Sequence, residues 1–98
     1  MSSEITVNWF AVKLALEGIP EDLSIEVVDG LIEDINLRPY LRNQRVQWDS
    51  ATRRVVVSVE VEDFTRTGAE SRMTEDLLEM ASGVVPGYGP MRVSLVGT

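Results

Sequence analysis

The residue pattern predicts an α+β fold, a ferredoxin-like plait of order βαββαβ, filling all 98 residues (1–98) as a single domain. Three observations carry this. An apolar, β-branched opening run gives way to a stripe of helical period. Two closely spaced strand patterns follow, and a second helical stripe then leads into a final strand. The expected sheet is four-stranded and antiparallel, in the order 4-1-3-2, with both helices on one face. Right-handed crossovers are expected to set strands one and three side by side as a parallel pair.

Residues 5–16, ITVNWFAVKLAL, form the first strand, but their alternation changes phase. Ile5, Val7 and Trp9 share one parity; Phe10, Val12, Leu14 and Leu16 take the other. Either a bulge lies near Trp9 and Phe10, or both faces of this strand are covered. In a plait one face of a central strand lies under the helices. Apolar residues on both parities therefore call for something over the other face, most simply a second copy of the chain.

Gly18 and Pro20 mark the exit from that strand. Helix one is expected from residue 21 or 24 to 37, because Val27, Val28, Leu31, Ile32 and Ile35 follow a helical stripe. Glu21 and Asp22 suit the positive end of its dipole, and Pro39 stops it at Arg38. Gly30 inside it suggests close approach to the sheet.

Residues 40–44 read as a connector, and strand two as a short segment in which Val46 and Trp48 point one way. Asp49-Ser50-Ala51-Thr52 is a hairpin loop whose carboxylate can accept nearby amides. In strand three, residues 53–62, Val55, Val57, Val59 and Val61 share a face, while Val56, Ser58, Glu60 and Glu62 share the other. Thr67 and Glu70 have the spacing of a capping box. Helix two then carries Ala69, Met73, Leu77, Met80, Ala81 and Val84 on its buried stripe, and Gly83 suits its C-terminal cap. After irregular residues 85–90, Met91, Val93 and Leu95 alternate with Arg92, Ser94 and Val96 in the last strand.

Composition narrows function mainly by exclusion. Sixteen acids against nine bases give a net charge of −7, which disfavours nucleic acid and anionic membranes as partners. Cysteine and histidine are both absent. That removes thiol nucleophiles, Ser-His catalysis and the usual zinc or copper ligands. No catalytic residue, cofactor site or metal site is expected. Glu60 and Glu62 alternate on an open face, but a solvated strand explains them. An enzyme built on carboxylates with Tyr40 or Tyr88 is the least favoured reading. No segment reads as a signal peptide or membrane span, so a cytoplasmic location is expected.

The 18–24 junction, Gly-Ile-Pro-Glu-Asp-Leu-Ser, lacks the CxxC pair of heavy-metal-associated domains and the arginine-bearing glycine turn of acylphosphatases. Strand three lacks the aromatics of RNA-recognition domains. Over a few residues the junction is similar to that of ACT-type regulatory domains, which place a glycine here and bind small ligands between protomers. Two functional expectations follow. The first is a non-enzymatic interaction or regulatory module that self-associates as a homodimer through Trp9, Phe10, Val56 and Val96. The alternative is an ACT-like small-ligand domain using the strand 1/helix 1 junction with Gly18, and the 86–90 loop with Gly87, Tyr88 and Gly89.

Overall fold

The computed structural model describes residues 6–84 and 91–96. It shows an α+β fold, a four-stranded antiparallel open sheet packed against two helices. The strands are β1 (Asn8–Glu17), β2 (Leu41–Asp49), β3 (Arg54–Asp63) and β4 (Arg92–Leu95); the helices are α1 (Ser24–Asn36) and α2 (Arg66–Val84). Along the sheet the order is β2-β3-β1-β4.

β1 and β3 are neighbours, but they run antiparallel, not parallel, in an unbroken register from Asn8 opposite Asp63 to Leu16 opposite Val55. The reason is topological. β2 and β3 form a hairpin, so they oppose each other. The helical crossover from β1 to β2 skips over β3, and the strand inserted between them must run against both. That continuous register also shows that β1 has no bulge at Trp9 and Phe10. Its two apolar parities therefore face opposite sides.

The helix-facing side of the sheet carries Val12, Leu14 and Leu16 of β1 against Val55, Val57, Val59 and Val61 of β3. α1 contributes Val27, Leu31 and Ile35, and α2 contributes Ala69, Met73, Leu77, Met80 and Ala81 to the same cluster. Burying side chains of this size stabilises the fold by about 1.5–3 kcal/mol each.

Local signals position these elements. A single 3-10 turn, Glu21–Leu23, precedes α1 and holds the two acids expected there. α1 ends where Pro39 requires, and the Arg38 guanidinium donates to the Asp34 carbonyl at 2.9 Å, satisfying one of the last-turn acceptors. Asp49 accepts the Ala51 amide at 3.1 Å and the Thr52 hydroxyl at 2.8 Å, closing the β2–β3 hairpin.

Four expectations are corrected. β2 begins at Leu41, so residues 41–44 are strand, not connector. Their polar sequence is tolerated because β2 lies at the sheet edge, and its register shifts between Arg42 and Arg45 around Asn43, at φ 53°. α2 begins at Arg66, capped by the Thr65 hydroxyl accepting the Gly68 amide at 3.0 Å, two residues before a Thr67–Glu70 box would place its cap. Gly83 lies inside α2 and does not cap it. Gly30 meets the other helix, not the sheet: a Cβ there would sit 2.8 Å from Val84 Cγ2.

Candidate functional site

β4 is short, and this shapes the surface around β1. It pairs with residues 14–17 of β1, and the Val96 amide donates to the Lys13 carbonyl at 2.9 Å. Beyond that point the outer edge of β1 has no strand beside it among the described residues. Backbone groups of odd-numbered residues point to this edge, as the Lys13 carbonyl shows, so Trp9 and Ala11 present theirs there. One of these acceptors is occupied: Arg66, at the start of α2, donates from Nη1 to the Ala11 carbonyl at 2.9 Å. The same guanidinium lies 5.6 Å from the Phe10 ring centroid.

A groove of about 790 Å³ opens beside this edge, with Lys13, Ser58, Glu60, Arg66, Glu70 and Leu95 among its lining residues. It carries two cations and two carboxylates. On the face away from the helices, the Arg42 guanidinium stacks 4.0 Å over the Trp9 ring and donates from Nε to Glu60 Oε1 at 2.7 Å. Asn43 donates to the same oxygen at 2.7 Å, from the bulge that turns it toward Glu60. Arg42, then Asn43, hold the Glu60 carboxyl below the usual carboxylate range. Arg42 thus supplies part of the cover that the apolar parity of β1 calls for.

The expected self-association residues are not all on one surface. Trp9 and Val56 share the open face by register, and Val96 joins them beside Lys13. Phe10 faces the helix side and packs against the core. Gly18 sits at the exit of β1 with φ 93°, a left-handed conformation that glycine adopts without strain. Gly87, Tyr88 and Gly89 lie outside the described residues. Tyr40 lines neither described cavity. Its hydroxyl donates to Asp76 of α2, and burial, then that bond, push the phenol above its ordinary value.

Arg42, Asn43, Lys13 and Arg66 were not singled out from sequence. A polar RNQR run on an edge strand was the available signal for Asn43; nothing local marks Arg66, which acts across the fold. Among the described residues no three metal-ligating side chains converge, and no helix is long and apolar enough to cross a membrane. No family model, curated protein or solved structure matches the chain. What this site offers chemically is a backbone edge with donors and acceptors, flanked by an aromatic ring and charges of both signs.

Proposed function

We propose that this chain is a non-enzymatic interaction or regulatory module of ferredoxin-like plait type, and that it self-associates through the free half of β1. One observation carries the reading: β4 stops short, leaving the edge at Trp9 and Ala11 without a strand partner among the described residues. An extended segment laid there gains main-chain hydrogen bonds, the mode of strand addition. The preferred segment is the same edge of a second copy. Under a two-fold axis, Lys13 of one copy can meet Glu60 or Glu70 of the other, so the groove complements itself.

The test is the mass in solution of the chain and of Ala11→Pro, which removes an edge amide without touching the β1–β3 ladder. Light scattering at about 100 µM, well above the micromolar range of weak contacts, is expected to give a dimer for the parent and a monomer for the variant. A parent that stays strictly monomeric at that concentration overturns the proposal. So does a dimer that Ala11→Pro leaves intact.

A further inference from the structure

Arg66 stands against the field of its own helix. It is the first residue of α2, whose first turn holds no acid, so this cation meets the positive end of the helix dipole. Among the described residues neither Arg66 nor Glu70 forms an ion pair. The partner of Arg66 is instead the Ala11 carbonyl, across the fold on the free rim of β1, at 2.9 Å. Both residues are exposed, and the guanidinium is held there by this bond and by the Phe10 ring, 5.6 Å from it.

That carbonyl is an acceptor an added strand needs. A guanidinium seated on it takes the place of an incoming amide, much as charged side chains blunt edge strands elsewhere. Displacing it costs a charge-assisted hydrogen bond, unless the cation finds another anion. Glu70 lies four residues along α2, on the same helical face, and lines the same groove. The guanidinium therefore has two seats beside one groove. The Ala11 carbonyl closes the rim, and the Glu70 carboxylate leaves it open. A cation N-terminal to its acid is the weaker order of such a helical pair, in keeping with the closed seat observed.

We infer that Arg66 is a latch on the free rim of β1, an autoinhibitory contact that an incoming strand displaces and that Glu70 holds open. This regulation rests on the pairing of copies proposed above and acts at the same edge. Each copy brings its own latch, so two must open for one pair to form.

The test is the dissociation constant of the pair, from light scattering over a dilution series reaching about 100 µM. The parent is compared with Arg66→Ala, Glu70→Gln and the double variant, each with an unchanged far-ultraviolet dichroism spectrum. Arg66→Ala is expected to tighten pairing about 25-fold, about fivefold for each latch removed. Glu70→Gln should weaken pairing about threefold in the parent, by loss of the open seat, and leave it unchanged in the Arg66→Ala background. Equal weakening in both backgrounds would set Glu70 against Lys13 of the other copy and overturn the open seat. A parent dimer that Arg66→Ala leaves as it was, or loosens, overturns the latch while the pairing stands. A monomeric parent beside a dimeric Arg66→Ala variant supports the latch and overturns self-association of the parent. If neither pairs, both fall.

Discussion

Ala11 and Ala15 are the same residue, on the same strand and the same face, yet one is exposed and the other fully buried. Ala15 lies between Val56 of β3 and Ser94 of β4. Ala11 lies opposite Glu60 of β3 and has no strand on its other side among the described residues. The two halves of β1 thus differ through their neighbours, not through their own residues. One half is closed on both edges by β3 and β4; among the described residues the other has a strand on one edge only, with Arg66 bonded to its Ala11 carbonyl.

The largest effect that would break this contrast is truncation in the closed half. Leu16→Ala should cost about 3 kcal/mol, within the range for fully buried leucines, whereas Ala11→Ser should change stability by less than about 0.5 kcal/mol. Urea unfolding of the two variants measures both. Equal costs would mean that the free half is as firmly packed as the other. Hydrogen exchange sharpens the same comparison without mutation. The Ala15 amide, bonded to β4, should open only with global unfolding, and the Ala11 amide should exchange orders of magnitude faster.

A smaller effect is expected from Arg66→Ala, which frees the Ala11 carbonyl. It should lower stability by about 1 kcal/mol and strengthen pairing of copies. A fall in both stability and dimer fraction would show that Arg66 builds the edge and does not mask it. The smallest effect is that of acid on the open face. The Glu60 carboxyl is held low by Arg42, so its contribution is complete above the ordinary glutamate range near ~4.3 and fades as pH falls below it. Trp9 emission, reporting release of the stacked Arg42, should change in that acid window. In Glu60→Gln it should not.

Much of the layout was readable in the residues because it is written in local periods. The valines of β3 alternate, and the stripes of α1 and α2 match the observed cluster at Val27, Leu31, Ile35, Met73 and Leu77. Asp49 announced its own turn, since its carboxylate bonds within three residues. What escaped was set by distant partners. β2 is long because β3 stabilises a polar run that shows no alternation of its own. The start of α2 fell two residues early because Thr65, not Thr67, meets the helix amides; a Cβ at Gly68 would approach Asp63 Oδ1 to 2.8 Å, so a larger residue there would require the Asp63 carboxylate to shift. Phe10 and Trp9 are adjacent in sequence and sit on opposite sides, which a phase change alone cannot distinguish from a bulge. The groove beside β1 depends on where β4 ends, and no residue of β1 encodes that.

The bulge at Asn43 has a consequence for how far assembly can go. It bends the outer rim of β2 and interrupts its run of regular backbone groups, which blunts that margin as a template. A sheet with two good margins can add copies without end and grow into a filament. With β2 blunted in this way, pairing through the β1 rim, as proposed above, would leave each chain a poor template on its opposite margin. Such pairing would favour two chains over a filament.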